Sequence, residues 1–527
     1  MRIYFRLSDK FVLSLKNILS RAVIALSLLL PLILITTRSY GNGWEHGAIP
    51  FEALVKALGF ESPEMRIRAA HSLGARGQPE AVKPLLKCLA KPEKNPLVRS
   101  ALYTALGELG AGSGIPALTA CLVEETREEL RSDCVTALGM IGQESTLPIL
   151  LNVLKNDSSF LVQSSAVEAL GNFSEEPAVQ FLTSLVNGHG NRTLLYRAIR
   201  SLGRTGSPAA VKPLLKALSE STGNRERLLV VSAITNLRST EAAGPLTALL
   251  NKTDDPQLRT QIVIALGAIK DGDTYATLIE MLQDNVPAVR YFAVKSLHEQ
   301  GRREAVTPIN DLSLVILGRL EQRSTRELLS EPIPALADLS FMAAALKAIT
   351  DLDAPKGLPA LLRAAQPRPI PRESATALKL ADGIYRQRRA ALYGLGYTGS
   401  QKAALFLAGE AGIADPDFRL RAVAVRSIGV LGFSDAVDLV IHRLNDPAAE
   451  VRWTAATVLG RLHDPKAVKP LIGRLSDINS EVRVQAALSL GYLDDPLAID
   501  KLKRLAKEDQ NQKVRTAAAY SLQVLTK

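Results

Sequence analysis

Histidine and carboxylate residues are the side chains in this 527-residue sequence that could hold a metal ion or transfer protons. Among the six histidines, only His298 is followed directly by a glutamate, Glu299. A two-metal centre needs several histidine and carboxylate ligands that converge from different helices, so a single pair falls short. The sequence also has no G-x-S-x-G nucleophile motif, no Walker A loop and no H-E-x-x-H zinc motif. It therefore predicts no catalytic residue, no metal ligand and no cofactor site.

A proline-rich segment holds the residues best suited to binding a partner. Residues 366–372 place three prolines at alternate positions, which excludes a helix and favours an extended or polyproline conformation. Arg368 and Arg372 flank Ile370, so two charges and one apolar side chain lie on a stiff segment that loses little entropy on binding. We predict a partner-binding loop here. The alternative is a spacer between two blocks of repeats.

The three cysteines carry no obvious chemistry. Cys88, Cys121 and Cys134 are odd in number and form no C-x-x-C pair, so neither a disulfide framework nor a zinc site is indicated. Each lies in an apolar helical run, where a thiol packs like a small hydrophobic side chain. We expect three buried free thiols.

Net charge argues against a nucleic-acid partner. The formal charge is +11, but residues 1–41 hold six bases and one acid and so contribute +5 of it, which leaves about +6 for the rest. A nucleic-acid-binding protein usually concentrates its bases in a stripe or tail. No such stripe recurs along the repeats described below.

The N-terminal segment has the pattern of an export signal. Basic residues precede an uncharged stretch at 22–37, and Ser39 and Gly41 suit a signal-peptidase site. The stretch is short for a membrane span and Pro31 interrupts it, which favours cleavage. An uncleaved anchor in the inner membrane, attached through residues 22–37, and a buried first helix are the alternatives. Export would place the chain in the periplasm or cell envelope.

A repeat of 31 to 33 residues dominates the rest of the chain. Its landmark is a Leu-Gly pair, which recurs as Leu73-Gly74, Leu106-Gly107, Leu138-Gly139, Leu170-Gly171, Leu202-Gly203, Leu266-Gly267, Leu395-Gly396, Leu459-Gly460 and Leu490-Gly491. The glycine predicts either a close helix contact or a left-handed helix end.

Residues 446–477 show what one repeat unit folds into. Val451, Ala455 and Leu459 have helical spacing and predict a first helix with one apolar face. Asp464 and Pro465 suit the cap and first position of a second helix. One such pair cannot bury its apolar faces alone, so units must stack. The predicted fold is all-α, a right-handed α-solenoid of stacked antiparallel helix pairs.

These landmarks resemble the short HEAT-like repeat of the phycobilin lyase type. The match rests on the Asp-Pro, Val-Arg, Ala-Ala and Leu-Gly pairs and on the Ala-Val-x-Pro-Leu motif. It covers roughly residues 50–310 and 385–527. The resemblance implies that the repeated arginine pairs with the aspartate of the inter-repeat turn, for example Arg452 with Asp446. Deoxyhypusine hydroxylases are also HEAT-like, but they hold iron with repeated His-Glu pairs, of which this sequence has one.

The predicted organisation has four parts. Residues 1–41 form the signal, 50–309 and 385–527 form two repeat blocks, and 310–384 form an irregular helical insert with the proline-rich loop. The predicted function is that of an exported, non-enzymatic scaffold that binds a protein partner through the curved solenoid surface. The alternative is an enzyme or enzyme subunit of the HEAT-like lyase or metal-dependent hydroxylase type.

Overall fold

The computed structural model describes residues 49–188, 191–269, 272–368 and 373–526. The predicted signal at 1–41 lies outside the described residues. Within them, the regular structure is entirely helical and no strand occurs, which confirms the all-α prediction. The chain divides into two compact units. The first ends at Thr205 and the second begins at Gly206. The predicted block boundaries at 309 and 385 both fall inside the second unit.

The first unit is a series of helix pairs. Its helices are α1 (Phe51–Ala57), α2 (Pro63–Ala75), α3 (Val82–Leu89), α4 (Pro96–Glu108), α5 (Ile115–Glu124), α6 (Glu128–Ile141), α7 (Leu147–Asn156), α8 (Phe160–Leu170), α9 (Glu176–Asn187) and α10 (Arg192–Arg204). The even-numbered helices α2, α4, α6, α8 and α10 pack side by side, each against the next. Each is the first helix of a repeat, so they form one continuous layer.

The second unit continues the same pattern. Its helices are α11 (Val211–Glu220), α12 (Asn224–Leu237), α13 (Ala243–Leu250), α14 (Pro256–Ala268), α15 (Gly272–Glu280), α16 (Pro287–Gln300), α17 (Val306–Gln322), α18 (Thr325–Ser330), α19 (Pro332–Asp353), α20 (Leu358–Ala364), α21 (Ala375–Leu395), α22 (Gln401–Ala408), α23 (Phe418–Leu431), α24 (Val437–Arg443), α25 (Ala449–Leu462), α26 (Val468–Arg474), α27 (Ser480–Leu493), α28 (Ile499–Glu508) and α29 (Gln512–Leu525). The first-helix layer here runs through α12, α14, α16, α19, α21, α23, α25, α27 and α29. The solenoid of stacked helix pairs is therefore present across the region where the Leu-Gly period disappears.

The glycine of the Leu-Gly pair permits a close helix contact. A Cβ built on Gly460 would lie 2.5 Å from Oγ and 2.6 Å from Cβ of Ser489 on the next first helix, α27. The left-handed position is three residues further on, at His463 with φ 52°. Of the two predicted roles, close contact is therefore the correct one for Gly460. Equivalent contacts join Gly74 to Ala105, Gly107 to Ala137, Gly139 to Ala169, Gly267 to Ser296, Gly396 to Ser427 and Gly491 to Ser521.

The repeated arginine also links neighbouring units, but not to the predicted acid. Arg452 donates to both carboxylate oxygens of Asp477 at 2.8 and 2.9 Å, and its Nη1 donates to the backbone carbonyl of Asp446 at 2.9 Å. The side-chain pairing with Asp446 was therefore wrong, since Arg421 of the preceding unit holds that carboxylate. Arg452 reaches the aspartate of the following turn, because Arg421 holds the carboxylate of Asp446 and leaves Arg452 only the backbone carbonyls of its own turn. The same ladder includes Arg66–Glu93, Arg131–Asp157, Arg259–Asp284 and Arg483–Asp509.

Two cysteines form a disulfide, which corrects the expectation of three free thiols. Cys121 in α5 is bonded to Cys134 in α6, with their Cα atoms 6.6 Å apart. The absence of C-x-x-C spacing does not exclude this bond, because a short turn between antiparallel helices brings together cysteines that are 13 residues apart. Cys88 is free and half-buried, and burial raises the pKa of its thiol.

Candidate functional site

The longest described helices lie in the middle of the second unit. The helices α17, α19 and α21 have 17, 22 and 21 residues, against 14 for α25 and α27. Pro332 begins α19 because a proline at the first helical position sacrifices no hydrogen bond. By length and composition α19 could also cross a membrane, but Phe341, Met342 and Ile349 are fully buried against neighbouring helices. Its apolar sequence is explained by packing within the protein.

A groove follows the exposed face of α19. Two adjoining cavities of about 1030 and 340 Å³ share Ser340 and Ala343 of this helix. The groove floor, which we define as Ile333, Ala337, Ser340, Ala343 and Ala344, consists mostly of small side chains. Ile333 at one end is 79% exposed. A shallow apolar floor of this kind lets another backbone approach closely.

The groove walls come from α16 and α21. Tyr291 and Lys295 line it on the α16 side, and Lys379 and Arg386 line it on the α21 side. His298 of α16 contacts α19, with its Nε2 2.9 Å from a carboxylate oxygen of Asp351. This contact holds the α16 wall of the groove against α19, which forms its floor.

The side chains that line the groove are more basic than acidic. The bases are Lys295, Lys347, Lys379 and Arg386, and the acids are Glu299 and Asp382. Arg386 pairs with Asp382, and Lys347 lies 2.5 Å from Asp351. Lys295 and Lys379 are exposed at opposite walls. The groove thus favours a ligand with an apolar face and acidic flanks.

A second, smaller cavity lies behind α19 and contains the predicted residue Arg368. It has a volume of about 220 Å³ and is lined by residues of α17, α18, α19, α20 and α21 together with residues 366–368. Arg368 is half-buried and its Nη2 donates to the backbone carbonyl of Arg323 at 2.6 Å. Burial lowers the pKa of Arg368. Of the predicted loop, Ile370 and Arg372 lie outside the described residues.

The predicted His-Glu pair serves packing and the groove wall. His298 lies in the last turn of α16, and Gly301 ends this helix with φ 71°. In the described part of the chain, no group of three or more histidine, cysteine, aspartate or glutamate side chains is placed to hold a metal ion.

The groove residues escaped prediction because their signal is weak. Alanine and serine at Ala337, Ser340 and Ala344 are ordinary helix residues in sequence, and nothing in their spacing marks an exposed face. The one available signal was Ile333 between Pro332 and Pro334, an apolar residue in a helix start.

Comparison with known proteins identifies the repeat. A family model described as HEAT repeats matches residues 48–95, 92–171, 147–235, 225–298, 243–314, 410–477 and 437–523. No curated protein matches the chain.

Similar solved structures include three from different proteins. Human deoxyhypusine hydroxylase in complex with glycerol is 23% identical over 47% of this chain and 95% of its own, with a TM-score of 0.23. The complex of CpcE and CpcF of phycocyanin lyase from Nostoc sp. is 18% identical over 50% of this chain and 97% of its own, with a TM-score of 0.31. Kap121p is 14% identical over 88% of this chain, which spans 59% of Kap121p, with a TM-score of 0.46.

Proposed function

The chain belongs to the HEAT-repeat family, and on that premise we propose that it is an exported, non-enzymatic scaffold that binds a protein partner in the groove along α19. The observation that carries the proposal is the groove itself, a wide apolar floor on the exposed face of α19 with basic walls from α16 and α21. Its partner is an amphipathic helical segment with acidic residues beside its apolar face.

The floor and walls match such a segment. Small side chains on α19 let the apolar face of a helix lie close to the groove floor, the usual arrangement when a helix binds in a groove. Lys295 and Lys379 stand on opposite walls, where carboxylates on either side of that apolar face would meet them. Such charges add specificity and a faster association rate.

The proline-rich loop contributes less to this proposal than the groove does. Arg368 lies in the separate cavity and bonds to the chain at Arg323. Ile370 and Arg372 stay candidate contacts on sequence grounds alone.

Export is proposed from two features. The basic and apolar pattern of residues 1–41 is typical of a secretion signal. The Cys121–Cys134 disulfide suits an oxidising compartment such as the periplasm. N-terminal sequencing of the protein recovered from the envelope should begin near Asn42. A full-length chain in the membrane would favour the anchor, and a reduced, full-length chain in the cytoplasm would contradict export.

Charge reversal tests the groove. A photo-crosslinking amino acid at Ser340, in the native host, should give a discrete adduct with one protein. Lys295→Glu together with Lys379→Glu should weaken that adduct about tenfold, because both walls would then repel an acidic segment. Lys466→Glu together with Lys469→Glu is the matched control, with both charges exposed in a regular repeat. Equal loss in both double variants would contradict the proposal.

A further inference from the structure

An exposed aromatic band crosses three neighbouring first helices beyond the groove. Its residues are Tyr393 and Tyr397 at and just after the C-terminal end of α21, Arg426 in α23 and Trp453 near the start of α25. The two tyrosines are 43% and 46% exposed, and their hydroxyl oxygens lie 2.7 Å apart. Arg426 is exposed, with its Cζ 5.9 Å from the centroid of the Trp453 ring. The hydrogen bond with Tyr393 raises the pKa of Tyr397 and the charge of nearby Arg426 opposes this rise, so Arg426 connects the residues of α21 with those of α25.

The three helices hold the band at a regular spacing. The helix α21 packs against α23 through Gly396 and Ser427, and α23 packs against α25 through Gly429 and Val458. Helices packed side by side lie about 8–10 Å apart. A polyproline II helix has three residues per turn at about 3.1 Å each, so one turn advances about 9.3 Å. A peptide in that conformation that lies across the band therefore presents every third residue to the next helix.

The aromatic residues suit a proline-rich peptide. Proline rings pack on aromatic side chains, and the stiff polyproline conformation loses little entropy when it binds. This conformation has no internal hydrogen bonds, so its backbone carbonyls are free to accept. The hydroxyl groups of Tyr393 and Tyr397 and the indole N–H of Trp453 are possible donors to them. An α-helix offers few such acceptors, because most of its carbonyls are bonded within the helix.

The band also carries a positive charge that has no acid partner. Arg426 forms no ion pair within the part of the chain that the structure describes, and its recorded contact is with the ring of Trp453. Asp351 is an acid beside the band, but His298 and Lys347 hold it at 2.9 and 2.5 Å. A carboxylate on the peptide is the group that complements the free guanidinium.

We propose that this band binds a proline-rich segment of another protein in the polyproline II conformation, with one acidic residue that has a proline three residues before it and another three residues after it. The carboxylate bonds to Arg426, one proline packs on the two tyrosines and the other packs on Trp453. The chain's own proline-rich segment at 366–372 has two arginines and no acid, so it does not fit. The band is a second binding surface, and its partner differs in conformation from the helical segment proposed for the groove.

Fluorescence anisotropy with the purified chain and dye-labelled nonapeptides tests the band. The peptide PPPPEPPPP spans three turns with its glutamate at the centre, and we expect it to bind below about 100 µM. PPPPQPPPP should bind about tenfold more weakly because it lacks the charge. GGGGEGGGG should lose about tenfold or more because it lacks the rings and the stiff backbone. Equal affinity of PPPPEPPPP and either control peptide, or no binding at about 1 mM, would overturn the proposal.

Variants locate the peptide on the protein. Arg426→Gln should weaken PPPPEPPPP about tenfold, whereas Arg461→Gln, an exposed arginine of α25 outside the band, should leave it unchanged. Tyr393→Ala should weaken it about fivefold, and Tyr520→Ala, an exposed tyrosine of α29, should not. All four side chains are exposed, so these variants should fold. Equal effects within either pair would contradict the site.

A charge exchange separates loss of binding from loss of structure. Arg426→Glu should lose PPPPEPPPP and gain PPPPKPPPP, because the peptide lysine then meets the new carboxylate. No preference of this variant for the lysine peptide would contradict the assignment of Arg426. A single strand of nine thymidylates is the competing ligand, since it is acidic and stacks on aromatic rings. Tighter binding of that strand than of PPPPEPPPP would overturn the proposal.

The band and the groove are tested independently. Lys295→Glu together with Lys379→Glu should leave the binding of PPPPEPPPP unchanged, and Arg426→Gln should leave the Ser340 adduct unchanged. Failure of the peptide to bind while the Ser340 adduct forms overturns the band alone. Absence of the adduct while the peptide binds overturns the groove alone.

Discussion

Two regions of the second unit use the same layer of first helices in different ways. From α23 to α29, each first helix contacts the next through a glycine, against Val458, Ser489 and Ser521 in turn, and through an arginine–aspartate pair. From α16 to α21, the helices α17, α19 and α21 are longer, and no first helix carries the Leu-Gly landmark until Leu395-Gly396. A groove and a cavity are present here. In the regular repeats these residues pack neighbouring units together, whereas the middle region leaves a surface that a ligand can occupy.

Electrostatic pairing differs in the same way. In the regular region, Asp446 and Asp477 are almost fully buried and held by Arg421 and Arg452. In the groove, Lys347 and Arg386 pair along their own helices and are exposed. Buried pairs of the first kind cost stability when one partner is lost, whereas exposed pairs are worth little. Stability and binding should therefore respond to different substitutions.

The largest effect is expected from Gly460→Val. Its new side chain would meet Ser489 of α27 well inside van der Waals distance, so the two helices must separate at a cost of about 3 kcal/mol. The urea midpoint, followed by circular dichroism, should fall accordingly. Gly473→Val is the matched control in the next helix, where an added Cβ meets nothing within 4 Å. Equal midpoints for the two variants would show that the glycine contact is incidental.

Loss of one ladder arginine should come next. Arg452→Met keeps most of the side-chain volume but leaves the buried carboxylate of Asp477, which is 4% exposed, with weaker pairing, at about 2 kcal/mol. Lys466→Met removes one end of an exposed ion pair with Asp438 and should change the midpoint by less than about 0.5 kcal/mol. Thermal unfolding of both variants measures the contrast. A similar loss of stability in both variants would mean that burial of the arginine–aspartate pair does not add to its contribution.

Lowering the pH should destabilise the regular region, because it protonates the same aspartate carboxylates. Burial alone would raise the pKa of Asp446 and of Asp477. Hydrogen bonds from Arg421 and Arg452, further hydrogen bonds from backbone N–H groups and the charges of nearby arginines together outweigh burial, so the pKa of each is lowered. The folded pKa then lies below the unfolded value of about 3.9, so the stabilisation is complete above about pH 4 and is lost as the pH falls through the folded pKa.

The acid prediction is checked on two chains. The unfolding free energy should decline below about pH 4, and the decline should be smaller in Arg452→Met, in which the pKa of Asp477 is no longer lowered by its partner. Parallel pH profiles in the two chains would contradict the linkage.

The smallest stability effect is expected in the groove. Ser340→Glu places a charge on an exposed position of α19 and should change the unfolding free energy by less than about 0.5 kcal/mol. It should nevertheless weaken binding of the acidic partner, because the new carboxylate lies on the groove floor. A thermal melt measures the first effect. A pull-down by the Ser340→Glu chain of the partner identified from the Ser340 adduct measures the second. Destabilisation comparable to Gly460→Val would show that the floor is a packing surface.

The repeat sequence predicted the fold because its signals are local. Helical spacing at Val451, Ala455 and Leu459 and the cap at Asp464, whose side chain accepts from the backbone of Lys466 at 2.8 Å, act within one unit. The partner of Arg452 could not be read from the sequence, since it depends on which neighbouring turn the side chain reaches. The Cys121–Cys134 bond escaped for the same reason.

The candidate site depended on interactions between units. The sequence predicts Arg368 as a partner contact, but its place in a cavity depends on the packing of α17, α19 and α21, which no periodic landmark specifies. Gln387 reads as a polar residue on an amphipathic helix, and only packing makes its Oε1 a buried acceptor. Groove and cavity are therefore products of irregular packing, which sequence periodicity describes poorly.

Position-specific crosslinking tests the central claim most directly. The same photo-crosslinking amino acid is placed at Ser340 in the groove and at Arg461 on the exposed face of α25, and each chain is irradiated in the native host. We expect a discrete protein adduct from Ser340 and none from Arg461. Adducts with the same protein at equal yield from both positions, or from Arg461 alone, would contradict the claim that the middle of the stack binds the partner.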